Sequence, residues 1–187
     1  MSKVLPAMLF VLTVGLIMAQ DTPNFSGTWI MDKEKSDPFG GMMGGGGRPG
    51  GGAGGRQGGG APGGGAPVQP DVTLDIKHEG VNLAIARKVN RGGQEMTQEL
   101  KYTTDGAENR NPGMGMGSAE TISKSRWEGK KLVTESSMTR STPDGDMTMK
   151  TKEIRFLSDD GKVMTIETTT IGTPKGDFTR KQLFNKK

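Results

Sequence analysis

The sequence contains no cysteine and a single histidine, His78, among its 187 residues. Without cysteine the chain cannot form disulfides, thiolate metal sites or a cysteine nucleophile, and one histidine cannot supply a histidine-rich zinc site. Apolar residues are also scarce, at 31% of the chain, and aromatic residues make up 5%. These absences exclude several classes of enzyme and metalloprotein, and they favour a fold that needs little solid apolar core.

The longest apolar run lies at the N-terminus. Lys3 precedes residues 4–18, which are nearly all apolar, and the small residue Ala19 follows. This arrangement is typical of a secretory signal peptide, whereas a spanning helix needs about 20 apolar residues. We predict a signal peptide over residues 1–19, cleaved between Ala19 and Gln20, which makes the protein secreted or periplasmic with no transmembrane span afterwards. An uncleaved N-terminal anchor is the alternative.

A glycine-rich stretch covers residues 40–67, where 17 of 28 residues are glycine. Such a segment loses much backbone entropy on ordering and has almost nothing to bury, so we predict a disordered loop. Arg48 and Arg56 invite comparison with Arg-Gly nucleic-acid tails, but no aromatic residue offers a stacking platform. We therefore predict no nucleic-acid partner.

Outside this loop the sequence has the period of β-strands. Val72, Leu74 and Ile76 alternate with polar neighbours, and similar runs separated by turn residues continue to the C-terminus. We predict an all-β, antiparallel up-and-down meander of eight to ten strands, closed into a barrel because closure removes exposed strand edges. Residues 20–39 form the first strand and a following segment, and residues 68–187 form the remainder of the barrel.

Several short motifs carry a family resemblance. Asn-Phe-Ser-Gly-Thr-Trp at 24–29 contains Gly-x-Trp, Lys-Ser-Asp follows at 35–37, and further segments are Arg-Trp-Glu-Gly-Lys at 126–130 and the run at 177–184. In this order they resemble the lipocalin-like proteins of the calycin superfamily, nearest to bacterial exported lipocalin-like proteins of unassigned function. The resemblance implies a barrel closed at one end by Trp29.

The resemblance also has departures. Fatty-acid-binding proteins carry Arg-x-Tyr near the C-terminus to hold a ligand carboxylate, whereas here Arg180 is followed by Gln182 and Phe184. Those proteins also have two lid helices after the first strand, where this chain has its glycine-rich stretch. The match to the fatty-acid-binding branch is therefore incomplete. The resemblance implies a more general small apolar or amphipathic molecule, bound by a monomer.

The candidate ligand-binding residues come from the predicted inward faces of the late strands and the first strand. Phe178 and Phe184 flank Arg180 on one face, which indicates that this face points inward, and Glu153 and Glu167 could pair with buried arginines. The alternatives are an internal salt-bridge network and a structural role for Arg180 packed on the motif tryptophan. The predicted site residues are Arg180, Gln182, Phe184, Arg155, Glu167 and Trp29.

No residue constellation indicates catalysis. The chain has no nucleophile elbow, phosphate loop or zinc-protease motif, and His78 at a turn is interpreted as a solvated surface residue. We predict no enzyme activity, no catalytic residue, no metal and no cofactor. The weak metal alternative is Cu(I) on the soft thioethers of Met114 and Met116. The main functional alternative is an envelope structural or interaction protein with a filled barrel.

Overall fold

The structure is a computed structural model. It describes residues 22–38, 69–113, 119–142, 145–173 and 176–187. The predicted signal peptide, the whole of the predicted glycine-rich loop, and Met114 and Met116 lie outside the described residues.

The described residues form ten β-strands and no helix, which confirms the all-β prediction. None of their segments is a helix able to cross a membrane. The strands are β1 Gly27–Met31, β2 Asp71–Glu79, β3 Asn82–Arg91, β4 Gln94–Thr103, β5 Asp105–Asn111, β6 Thr121–Glu128, β7 Lys131–Thr142, β8 Gly145–Leu157, β9 Val163–Ile171 and β10 Phe178–Lys186.

All ten strands belong to one antiparallel sheet that curls into a nearly closed barrel. The order is β4-β3-β2-β1-β10-β9-β8-β7-β6-β5, so the first strand pairs with both the second and the last. The two end strands, β4 and β5, are consecutive in the chain and lie side by side without a backbone ladder between them. The predicted up-and-down barrel is therefore confirmed, with a single seam.

Side chains close the seam between β4 and β5. The buried carboxamide of Asn111, which is 4% exposed, accepts a hydrogen bond from the Lys101 amide at 2.7 Å and donates to the Lys101 carbonyl at 2.9 Å. Gln98 donates to the Pro112 carbonyl at 3.0 Å. These bonds satisfy strand edges that would otherwise be open to water or to another chain.

The apolar core lies along one side of the barrel and reaches the end where four of the strand connections are short. Strands β1 to β3, β9 and β10 supply most of its members, in the inward phase of each strand. We call this end the floor and the opposite end the mouth. The buried core residues are Phe25, Trp29, Met31, Val72, Leu74, Ile76, Leu83, Ile85, Val89, Leu132, Met164, Ile166 and Phe184.

The Gly-x-Trp motif has a clear structural reason. Trp29 is 0% exposed, and its indole N–H donates to the Phe25 carbonyl at 2.8 Å. Gly27 has φ +133°, and a Cβ there would lie 2.9 Å from Cε of Lys186. The Lys186 ammonium lies 5.3 Å from the centre of a Trp29 ring. A cation packed on the motif tryptophan is therefore Lys186, and the alternative that gives Arg180 this role stays a prediction.

Replacing Gly27 with alanine should destabilise the barrel by about 1–3 kcal/mol. The alanine would have to adopt an unfavourable φ, and its Cβ would lie too close to the aliphatic part of the Lys186 side chain. Urea unfolding followed by tryptophan fluorescence would measure this loss. Gly80→Ala is the control, since Gly80 also has a positive φ but no atom within 4 Å of a built Cβ. An equal loss in both variants would show that the contact with Lys186 contributes nothing.

Replacing Asn111 with alanine should open the seam, because both backbone groups of Lys101 lose their partner. Hydrogen exchange should accelerate at the Lys101 amide by about tenfold or more, while amides in β1 and β10 stay protected. Asn109→Ala is the control, since its carboxamide bonds the Thr103 hydroxyl and not a β4 backbone group. Unchanged exchange at Lys101 would contradict this account of the seam.

Candidate functional site

A cavity of about 180 Å3 lies inside the barrel. Apolar side chains of β2, β3, β4, β9 and β10 form much of its wall, including Leu74, Ile85 and Phe184. The polar groups that converge on it come from β3, β4, β8 and β10. They are Arg87, Tyr102, Glu153, Arg155, Arg180 and Gln182.

Three guanidinium groups and one carboxylate dominate the electrostatics of this cavity. Arg155 is 5% exposed and donates to the Glu153 carboxylate at 2.5 Å, both residues pointing inward from β8. Burial lowers the pKa of Arg87 and of Arg180, and the nearby negative charge of Glu153 acts in the opposite direction on both. Arginine stays charged in proteins, so three of the four charged side chains in the described lining are cations.

Two neutral polar groups complete the lining. Burial, with a further contribution from Glu153, raises the pKa of Tyr102 to about 12, so its hydroxyl keeps its proton and remains a hydrogen-bond donor. The buried Gln182 amide donates to the sulfur of Met31 at 3.3 Å, which fixes its orientation in the lumen. The cavity therefore presents mainly hydrogen-bond donors.

Below the cavity, three rings stack across the floor. The ring centres of Phe25 and Trp127 are 5.7 Å apart and nearly parallel, and the His78 ring lies 5.9 Å and 6.0 Å from them. The Arg155 guanidinium carbon lies 6.0 Å from the Phe25 ring centre. Arg155 thus contacts the floor stack and also lines the cavity.

His78 is a buried part of this floor, at 7% exposure, so its interpretation as a solvated surface residue is wrong. Its Nδ1 accepts a hydrogen bond from the Phe25 amide at 3.3 Å, which assigns the proton of the neutral ring to Nε2. Burial lowers the pKa of His78, and the charge of Arg155 lowers it further. The ring is therefore held in its neutral form.

The structure brings four of the six predicted site residues together. Arg155, Arg180, Gln182 and Phe184 all line the cavity. Trp29 is buried in the core at the floor and is not part of this lining.

Glu167 lies outside the lumen, and the prediction that it shares the lumen is wrong. Its chain neighbours Ile166 and Thr168 line the cavity, so Glu167 points outward, where Lys181 is its cross-strand partner. The sequence reasoning also missed Arg87 and Tyr102. The row Leu83, Ile85, Arg87 and Val89 on one strand face was the signal for Arg87.

Two other cavities occur among the described residues. One of about 190 Å3 lies toward the mouth, where Met138 and Met149 are cross-strand partners among threonine and serine side chains. The other, of about 440 Å3, involves outward side chains such as Ile122 and Lys150. It is an open depression of the outer surface, and its charged lining residues are Glu108, Lys124, Glu135, Lys150 and Lys152. Within the described chain, no cluster of three or more histidine, aspartate or glutamate side chains could hold a metal ion.

The topology defines the class of protein: a ten-stranded, nearly closed antiparallel barrel with a charged lumen, which fits a calycin-like fold. No family model matches the chain, and no curated protein matches it. Among solved structures it is similar to secretory abundant heat soluble protein 4 from Ramazzottius varieornatus. That likeness has a TM-score of 0.45 and 15% identity, and it covers 63% of this chain and 70% of the other.

The His78 environment predicts a pH dependence of stability. Because the folded pKa is lowered from the ordinary value of 6.5, the stability is complete above pH 6.5 and falls as the pH decreases toward the folded pKa. NMR titration of the single imidazole and urea unfolding between pH 7 and pH 5 would measure both effects. In His78→Gln this part of the pH dependence should disappear. A His78 pKa at or above 6.5 would contradict the assignment.

Proposed function

We propose that the protein is an exported lipocalin-like barrel that binds a small amphipathic molecule with an anionic head in its lumen. It acts by binding and not by catalysis. Export follows from the predicted signal peptide in residues 1–19. The observation that carries the proposal is the convergence of Arg87, Arg155 and Arg180 on one interior cavity whose described lining contributes one carboxylate, Glu153.

The charge balance supports an anionic head. Guanidinium groups removed from water are costly unless anions compensate them, and a planar guanidinium suits a carboxylate or phosphate as a bidentate partner. Glu153 bonds Arg155 and its charge also reaches Arg87 and Arg180. A bound anionic head would offer further hydrogen-bond acceptors to the guanidinium groups that share this cavity.

The apolar residues in the walls of the two cavities support a ligand whose remaining part is apolar. Leu74, Ile85 and Phe184 line the charged cavity, and the adjacent cavity toward the mouth contains Met138 and Met149, whose flexible thioethers adapt to irregular shapes. Each cavity is smaller than the roughly 300–1,000 Å3 of usual drug-sized sites. The ligand is therefore small, with its head among the arginines and a short tail toward the mouth.

A filled structural barrel is the second candidate, and one observation favours it. The close ion pair between Arg155 and Glu153 already neutralises the most buried guanidinium without any ligand. In that case the charged network serves stability and the protein acts through its outer surface. Binding measurements separate the two candidates, because a filled lumen takes up no small amphiphile.

Isothermal titration with octanoate and octanol, which share a tail length, tests the proposal. Octanoate should bind more tightly than octanol, and Arg180→Gln should weaken octanoate about tenfold or more because a charge-assisted hydrogen bond is lost. Lys181→Gln is the matched control, since this exposed neighbour loses the same charge outside the lumen. No binding, or equal affinity for acid and alcohol, would favour the filled barrel.

A further inference from the structure

We propose that the barrel binds a soft monovalent metal ion, Cu(I), near its mouth on the thioethers of Met138, Met147 and Met149. These are other methionines than Met114 and Met116, and the site does not depend on the anionic ligand proposed above. The observation that carries the inference is a pair of methionines that are direct partners on neighbouring strands and line one cavity.

The first step is the geometry of this pair. Met138 on β7 and Met149 on β8 are cross-strand partners, and both line the cavity of about 190 Å3. Directly opposite side chains on one face of a sheet have Cβ atoms about 4.5–5.5 Å apart. Because methionine is unbranched and flexible, both sulfurs can turn toward a single ion between the two strands.

Met147 supplies a third thioether. It precedes Met149 by two residues on β8, so its side chain points to the same face of the sheet, and it is half-buried. In the register of β7 with β8 it is diagonal to Met138. Diagonal neighbours are about 7–8 Å apart, a distance that long side chains span. Three thioethers are therefore within reach of one ion.

The rest of the cavity lining determines the kind of ion. Its other described members all carry hydroxyl groups, and they are Thr121, Ser136, Ser137, Thr151 and Thr170. This described lining offers no carboxylate and no imidazole, which zinc, calcium and magnesium sites use. Thioethers are soft, neutral ligands that select Cu(I). The composition of the lining therefore favours a soft monovalent ion over a divalent one.

The position of the pair gives an ion access from water. Met138 also pairs with Thr121, the first residue of β6, so the methionines lie where the neighbouring strand begins, at the mouth end. On the outer face the next pair, Thr139 and Thr148, is joined by a hydrogen bond between hydroxyls at 2.8 Å. This bond holds β7 and β8 together beside the methionines, which favours a preformed site.

Silver(I) is the first probe, because it shares the charge and the soft-ligand preference of Cu(I) and does not change oxidation state. In chloride-free buffer, isothermal titration should give one Ag(I) per chain, and the methyl NMR signals of Met138, Met147 and Met149 should shift. Cu(I), titrated without oxygen against a chromogenic chelator, should bind with the same stoichiometry. No binding of either ion, or shifts confined to other methionines, would overturn the inference.

Leucine variants remove one sulfur at a time and keep the size and apolar character of the side chain. Met138→Leu and Met149→Leu should each weaken Ag(I) binding by about tenfold or more, because a donor is lost. Circular dichroism would establish that each variant retains its strands. Unchanged affinity in the folded variants would contradict the assignment of the ion to this pair.

Two further variants serve as controls. Met96→Leu changes a methionine of β4 that is 61% exposed and does not line the cavity. The double variant Met114→Leu/Met116→Leu removes the methionines that the sequence motif offers. Neither should change the Ag(I) affinity by more than about twofold. A loss in the double variant as large as that in Met138→Leu would assign the ion to Met114 and Met116 and overturn the site.

Zinc separates a soft site from a general cation site. Zn(II) should bind at least about a hundredfold more weakly than Ag(I), since zinc takes imidazole, thiolate and carboxylate ligands. Equal affinity for the two ions would overturn the choice of a soft ion. Octanoate binding is measured without metal, so failure of the metal site and failure of the proposed function remain distinguishable.

Discussion

The buried guanidinium of Arg155 connects the parts of this barrel. It is bonded to Glu153 above the floor, it lies over the Phe25 ring, and through that ring it meets the stack with His78 and Trp127. A buried charge tolerates neither the loss of its partner nor the opening of its surroundings to water. The integrity of the floor and the charge of the cavity therefore depend on each other.

The two halves of the barrel are stabilised in different ways. Strands β1 to β3, β9 and β10 bring large apolar side chains together, whereas β6 and β7 face the lumen with small polar groups such as Ser125 and Thr134, hydrogen-bonded at 2.8 Å. The seam beside β5 is held by side chains such as Asn111. Local opening should thus begin at the seam, because none of the buried core residues named above belongs to β4 or β5.

The alternation of apolar and polar residues was enough to predict the strands and the barrel, but it did not fix every strand's phase. In β9 apolar residues occupy both faces, with Val163 and Ile171 on one and Met164 and Ile166 on the other. Either phase is acceptable by pattern alone, and a one-residue slip moves Glu167 from the wall of the lumen to the outside. Only the pairing of β9 with β8 and β10 determines which of its two faces points into the lumen.

The missed residues have a different cause. His78 follows Ile76, and Arg87 follows Ile85, at the next inward-facing position of each strand. Because both residues are polar, the sequence pattern alone did not place them inside the barrel. Contacts between segments that are distant in the sequence allow these two polar side chains to face inward. The rings of Phe25 and Trp127 cover the histidine, and the charge of Glu153 on β8 acts on the arginine. A polar residue among the apolar residues of one strand face can thus indicate a functional site as well as the end of a strand.

The directions of the strands also give the order of the lining residues from the mouth to the floor. Short turns join the strands at the floor, while the connections that contain undescribed residues all leave and re-enter the barrel at the mouth. Arg180 lies near the start of β10 opposite Thr168, and Arg155 lies near the end of β8 opposite Ile166. A molecule that comes in from the mouth therefore passes Met149, then reaches Arg180, and meets the Arg155 pair last. Because the pair of Glu153 with Arg155 lies at the far end of this path, a head group bound nearer the mouth would leave the internal ion pair in place.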